Sequence, residues 1–147
     1  MAEDNCLFCS IVSGKTETAI VYSDDDCLVF LDHRPLFHGH CLVIPKTHYE
    51  TLHDLPAKIV GPLFKKVKMI SAAVLNAMNA EGTFVAMNNR VSQSVPHLHV
   101  HVVPRKKGDG LKGFFWPRTK YKSPEEMFDV AKKIGSCLEG MLSNNDS

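Results

Sequence analysis

The stretch Pro96-His97-Leu98-His99-Val100-His101-Val102-Val103 limits the fold more tightly than any other part of the chain. Side chains alternate faces on a strand, so His97, His99 and His101 share one face and Leu98, Val100 and Val102 the other. On a helix, residues two apart diverge by about 200°, and the three rings would scatter. The β-branched content also favours the strand. A strand over Val95–Val103 is therefore expected. It carries three imidazoles in a row, roughly 6–7 Å apart from the strand rise, above an apolar face that enters a core.

A row of imidazoles has few uses. The ring's ordinary pKa lies near 6.5, so it can serve as base, acid, ligand or nucleophile at neutral pH. One ring nitrogen can attack phosphorus while the other keeps a proton and donates to a carbonyl. Neighbouring rings can orient the attacker and counter phosphate charge. Metal binding is a competing use, and so is a merely solvent-facing row on an edge strand. A second constellation lies far away, in Cys6-Leu7-Phe8-Cys9. A redox pair would call for a βαβ context, which this sequence lacks. With two histidines the pair would complete a tetrahedral zinc site, and His48 and a member of the histidine strand are the candidates.

The remaining pattern is strands, helix, strands, helix. Cys27–Leu31 and Cys41–Ile44 are short bounded apolar runs, and the loop between them is too short for a crossover helix, so they pair antiparallel. Asp54 caps a short turn, and a helix begins at Pro62 and closes near Asn79–Gly82, with Leu63, Val67, Ile70, Val74 and Met78 on one face. Thr83–Asn88 is a further strand. Ser123 caps a final helix, with Pro124 at its first position, Glu126 completing a capping box, and Met127, Val130, Ile134, Leu138 and Met141 as its apolar stripe. The class is α+β with an antiparallel sheet. The 147 residues suit a single domain with a core over about residues 6–142, and the polar tail 143–147 is expected to fray.

Composition excludes several classes. A formal net charge of +1 argues against a nucleic-acid polyelectrolyte binder, and no apolar run reaches membrane-spanning length. The acidic, polar start is unlike a secretory signal, and five cysteines show no disulfide spacing. A cytoplasmic location follows as an expectation, with nuclear entry open at this size. Cys27, Cys41 and Cys137 read as core residues, and His33, His38 and His53 as surface. Asp24–Asp26 reads as a turn and Arg105-Lys106-Lys107 as a solvated loop.

Four features together resemble the histidine triad (HIT) nucleotide-binding proteins, over Cys6 to about Trp116. They are the alternating histidines, Phe30-Leu31-Asp32, the Gly-His-x-Leu-Val-Ile-Pro-Lys-x-His stretch from Gly39 to His48, and Gln93-Ser94-Val95. The sequence is most similar to the small Hint-like and prokaryotic-type members. The resemblance implies a homodimer in which two five-stranded sheets, each with two main helices, join into a ten-stranded one. It implies a purine nucleoside monophosphate ligand and hydrolysis or transfer at the α-phosphorus of phosphoramidates or adenylylated compounds. His99 would be the nucleophile, forming a nucleotidyl-histidine intermediate. His101, His97, His40 and Ser94 would complete the catalytic set. Asp32 would hold the ribose, and Asn88, Gln93 and Ser94 would join His99 and His101 around the nucleotide. Cys6, Cys9, His48 and His97 would hold a structural zinc.

The same resemblance leaves two other readings: a Fhit-like diadenosine polyphosphate hydrolase, and a nucleotide-binding regulatory protein with incidental catalysis. The loop from Asn88 to Ser94 lacks the glycines common in relatives and carries Arg90, a cation that could meet a second phosphate or a sulfate. The Gly108-Asp109-Gly110 stretch and the Trp116 segment are candidates to reach the other subunit's site.

Overall fold

The computed structural model describes residues 3–112 and 118–145. The chain forms two compact units that divide between Asp109 and Gly110.

In the first unit, helix α1 (Leu7–Val12) precedes strands β1 (Ile20–Ser23), β2 (Cys27–Leu31) and β3 (Cys41–Pro45). A 3₁₀ turn (Leu52–Asp54), helix α2 (Ala57–Ala77) and strands β4 (Gly82–Ala86) and β5 (Val100–Arg105) follow. The five strands make one antiparallel sheet in the order β1-β2-β3-β5-β4. The two apolar runs seen in the sequence are β2 and β3, paired from Cys27 with Pro45 to Leu31 with Cys41. They read as unbroken apolar runs because both of their faces are covered. Val29, Cys41 and Val43 pack under α2 with Leu63, Val67, Ile70 and Val74. Leu28, Phe30, Leu42 and Ile44 pack on the opposite face against Cys6, Phe8 and Ile11 of the α1 segment. Leu98, Val100 and Val102 join the α2 side, as their alternation requires.

Four elements depart from the sequence expectation. The strand expected from Val95 begins at Val100, because Leu98 N–H donates to the Tyr49 carbonyl (2.7 Å) and the β3 ladder starts only at the Val43–Val100 pair. His97, at a bend, and His99 therefore lie in the lead-in to β5 rather than in the ladder. Helix α2 starts at Ala57, not Pro62, and Pro62 sits inside it. An interior proline forfeits one bond, here to the Lys58 carbonyl. The extra turn is retained because Ile59 and Val60 pack against the core. Met78 falls past the last turn as the C-cap. Two elements, α1 and the fully exposed β1, were not legible as such.

Asp24 does form the expected turn, its carboxylate accepting from the Asp26 and Cys27 amides at 2.9 and 2.8 Å. Arg105, expected in a solvated loop, is instead the last residue of β5, paired with Gly82, and its guanidinium is held by Asp109 at 2.6 and 3.0 Å.

Gly39 adopts φ +98°, and a Cβ there would stand 2.6 Å from Met78 Cγ. Met78 is partly exposed and can yield; the backbone cannot, since L-residues disfavour that conformation. Gly39→Ala is expected to cost about 1–3 kcal/mol, or roughly 3–10 °C in Tm for a chain of this size. A thermal scan checks this, and an unchanged Tm would mean the loop relaxes to negative φ.

The second unit contains α3 (Pro124–Asn145). Ser123 Oγ accepts from Glu126 N–H at 3.1 Å, but the Glu126 carboxylate takes the Lys122 amide rather than that of Ser123, so the expected capping box is half formed. The helix continues through Asn145, where the tail was expected to fray. Its stripe is periodic but uncovered: Met127, Ile134, Leu138 and Met141 are exposed, and Cys137, expected in the core, is exposed with them. An apolar stripe is buried only if another surface meets it, and this unit has no second helix or strand to supply one among its described residues. Phe114–Pro117, including Trp116, lies outside the described residues. No helix among the described residues is long and apolar enough to cross a membrane.

Candidate active site and metal centre

The α1 face of the sheet carries the histidines. Phe8 projects from α1 and meets the rings of His97 and His99 edge-on, with centroids at 5.9 and 5.1 Å. His99 and His101 follow at 5.0 Å. His97, His99 and His40 are buried, and His101 is half-buried. A cavity of about 400 Å³ opens beside His99 and His101. Its walls include Phe30, Leu42, Asp32 and Ser94.

Hydrogen bonds fix which ring nitrogen carries each proton. Nδ1 of His99 lies 2.7 Å from the His97 carbonyl, which only accepts, so Nδ1 is protonated. That leaves the Nε2 lone pair of a neutral His99 free for attack. Leu36 N–H donates to His40 Nδ1 at 3.1 Å, so the proton of a neutral His40 sits on Nε2. His40 Nε2 is 2.9 Å from His101 Nδ1 and donates to it. His101, when neutral, must then carry its own proton on Nε2. An amide, a buried histidine and a half-buried histidine thus form a directed chain that ends in an N–H donor beside the lone pair of His99.

Burial is the leading cause that pushes these rings below the usual histidine range. His101 falls to about 4, with His99 and His40 adding to the burial effect and Asp32 opposing it. His40 and His99 move in the same direction, again by burial first and against Asp32. The acid limb of kcat/KM is therefore expected below pH 6.5 in a pH–rate profile. Because the folded state resists protonating His101, the stability this ring contributes is complete above about 6.5. It is lost as pH falls from there towards 4. A limb at 6.5 would show that the rings accept protons freely.

The second cluster lies behind His97. Cys6 Sγ and Cys9 Sγ each stand 3.5 Å from His97 Nδ1, and Cys9 Sγ stands 3.3 Å from His48 Nδ1. The four ligand atoms lie within 4.8 Å of one another and could hold a metal ion. Tetrahedral ligands at zinc distances of about 2.0–2.3 Å would have edges of about 3.5 Å, so the set fits that geometry. The donor atoms are also prepared. His97 Nε2 donates to the Pro45 carbonyl at 2.8 Å, which leaves Nδ1 as the lone pair facing the sulfurs. Asp32, His40 and His101 form another close group. There His40 Nε2 and His101 Nδ1 are already engaged with each other.

Residues 13–108 match the family model described as the HIT domain. The chain belongs to the HIT family. It is 40% identical to adenylylsulfatase HINT3 of Arabidopsis thaliana over 143 residues, covering 95% of this chain and 71% of that protein. It is 33% identical to adenosine 5′-monophosphoramidase hnt1 of Schizosaccharomyces pombe over 92% of this chain and 99% of that one. Among solved structures, a HIT family member from Bacillus subtilis superposes with a TM-score of 0.81 at 34% identity, covering 90% and 96% of the two chains. A zinc-bound histidine triad family protein from Mycobacterium smegmatis superposes at 0.70 with 35% identity, over 92% and 99%.

Within this HIT domain the residues singled out from the sequence fall into three groups. Asp32, Ser94, His99 and His101 line the cavity. His40 sits behind His101, and His97 behind His99, each hydrogen-bonded to its neighbour. Asn88 turns into its own loop, and Gln93 ties that loop to Glu50. The Gln93 amide accepts from Arg90 N–H and donates to the Glu50 carbonyl, and Asn88 Nδ2 donates to the Ser92 carbonyl. Left-handed φ values at Arg90 and Ser92, 73° and 59°, shape this glycine-free loop. Arg90 does not line the cavity; its charge acts on Asp54 of the 3₁₀ turn. His38 and His53 are exposed, and His33, exposed as well, lines the cavity beside Asp32. Sequence reasoning missed the Pro45 carbonyl and the Leu36 amide, since backbone groups carry no residue signature. It also missed the Thr16–Thr18 segment of the cavity wall.

Proposed function

We propose that this chain is a nucleotidyl hydrolase that acts at the α-phosphorus of a purine nucleoside 5′-phosphate derivative. The observation that carries this reading is the fixed tautomer of His99, whose Nδ1–H is committed to the His97 carbonyl while the ring borders the cavity. In the first step His99 Nε2 bonds to phosphorus and the bond to the leaving group breaks, its electron pair leaving with that group. A sulfate leaves as a dianion, and an amine leaves neutral from its protonated form. His101 Nε2–H donates to the phosphoryl oxygens as charge builds on them. Water then bonds to phosphorus and gives up a proton to solvent, the Nε2–P bond breaks with its electron pair returning to His99, and the nucleoside monophosphate is released. Asp32 accepts hydrogen bonds from the ribose hydroxyls, and Ser94 serves the phosphoryl or leaving group.

The two enzymes named above, one cleaving an adenylyl sulfate and one a phosphoramidate, support chemistry of this kind. The four-residue cluster is proposed to hold zinc. With four protein ligands it has no open position, so its role is structural. We further propose that the protein works as a homodimer.

Parallel turnover of adenosine 5′-phosphoramidate, adenylyl sulfate and diadenosine triphosphate tests the assignment. Release of AMP from one of the first two, well ahead of the dinucleotide, is the expected result. Dominant cleavage of the dinucleotide would overturn the leaving-group assignment. Tight AMP binding without turnover of any of the three would overturn catalysis itself.

A further inference from the structure

The cavity has a direction that follows from the order of strands. His99 and His101 stand at β5; Leu42 of β3 and Phe30 of β2 come next across the sheet. Beyond β2 lies the chain leading into β1. Leu31 N–H donates to the Ala19 carbonyl at 3.0 Å, which seats Thr16–Thr18 beside the Asp32 end of β2. Three strand spacings of about 4.8 Å separate β5 from β1, or roughly 14 Å. That is comparable with the reach of a nucleoside monophosphate from phosphorus to the outer edge of its base. With phosphorus at His99 and the ribose at Asp32, the base must end at Thr16–Thr18.

The polar groups at that end differ in their freedom. The Thr16 hydroxyl is engaged with Ser10 Oγ at 2.7 Å. Glu17 is exposed on the cavity wall and makes no hydrogen bond or ion pair among the described residues. An ionised carboxylate only accepts hydrogen bonds. It pairs best with two adjacent N–H donors, the geometry that also favours forked pairing with a guanidinium. Guanine presents such a pair in N1–H and its 2-amino group. Adenine presents only its 6-amino group beside an acceptor nitrogen that would face the carboxylate unfavourably.

We infer that Glu17 reads the base and makes guanosine 5′-derivatives the preferred substrates of this site. The inference rests on the nucleotidyl hydrolase reading, but its main test does not need turnover. Binding of GMP, IMP and AMP is measured by calorimetry on the full chain and on the Glu17→Gln and Glu17→Ala variants. IMP keeps N1–H and lacks the 2-amino group, so it isolates one of the two donors. In the wild-type chain GMP should bind about tenfold more tightly than IMP, the scale of one partly exposed hydrogen bond to a charged group, and AMP should bind more weakly than IMP. Both variants should bring the three nucleotides within about twofold of one another. Ratios of kcat/KM for guanosine and adenosine 5′-phosphoramidates should follow, with the change in KM and kcat retained. A wild-type chain that prefers AMP, or ratios that survive both substitutions, overturns the inference. If GMP discrimination depends on Glu17 while no phosphoramidate is cleaved, the base assignment stands and the hydrolase reading falls.

Discussion

His99→Ala is expected to abolish turnover, with kcat/KM falling by about 10⁴-fold or more, because His99 is the one ring of the alternating row whose free lone pair borders the cavity. That factor corresponds to about 5.5 kcal/mol of transition-state stabilisation. The alternatives fail on their hydrogen bonds. His101 has its Nδ1 lone pair covered by His40 and a proton on Nε2, so in its neutral form it has no free lone pair to offer. His97 has Nε2 committed to the Pro45 carbonyl and Nδ1 facing two sulfurs. The fold should survive. Losing a buried ring against Phe8 costs about 1–3 kcal/mol, yet Leu98, Val100 and Val102 on the opposite face keep their packing. Circular dichroism and retained AMP binding check the fold; intact mass after rapid quenching of the wild-type enzyme checks for a nucleotidyl adduct. Wild-type turnover by the variant would rule out covalent catalysis through this ring.

How much of that site could be read beforehand depends on the kind of group involved. The facing of the triad was legible because a period of two puts alternating polar and apolar residues on opposite faces. The buried stripe of α2 was legible for the same reason, since burial of one face imposes a period, whereas β2 and β3 were legible as unbroken apolar runs because both of their faces are covered. The start of β5 was not, because it depends on which carbonyl captures the Leu98 amide, and Tyr49 is 49 residues away. Nor was α1, whose six residues are too few to show a helical period. Strand β1 is exposed throughout and carries no burial signal. For α2, the punctuation value of Pro62 misled, since packing by Ile59 and Val60 outweighs one lost bond. The side chains of the metal set could be paired by residue type and family resemblance. The carbonyls and amides that set the tautomers could not, because every residue has them.

The proposed metal cluster and the proposed nucleophile share one residue, and that sharing has a measurable consequence. His97 turns its Nδ1 to Cys6 and Cys9 and offers its own backbone carbonyl to His99. Removing zinc with a chelator, or replacing Cys9 by Ser, is expected to cost several kcal/mol, or roughly 10 °C or more in Tm. Activity should fall about 10- to 100-fold, the scale of losing an orienting partner rather than a reacting group. It should return when zinc is restored to the chelated protein. A metal with an open coordination position would instead take part in the reaction, and its loss would be as severe as that of His99. Loading should also expel a proton. Burial and the neighbouring Cys6 push the Cys9 thiol up to about 12 in the metal-free fold, so it is neutral at pH 7, whereas zinc binds the thiolate. Calorimetry in buffers of different ionisation enthalpy counts the protons released, and the binding constant should weaken as pH falls. Protein that remains folded without metal, with unchanged Tm and a readily formed Cys6–Cys9 disulfide, would make the pair a redox couple. The orientation of His99 would then rest on the Pro45 and His97 carbonyls alone.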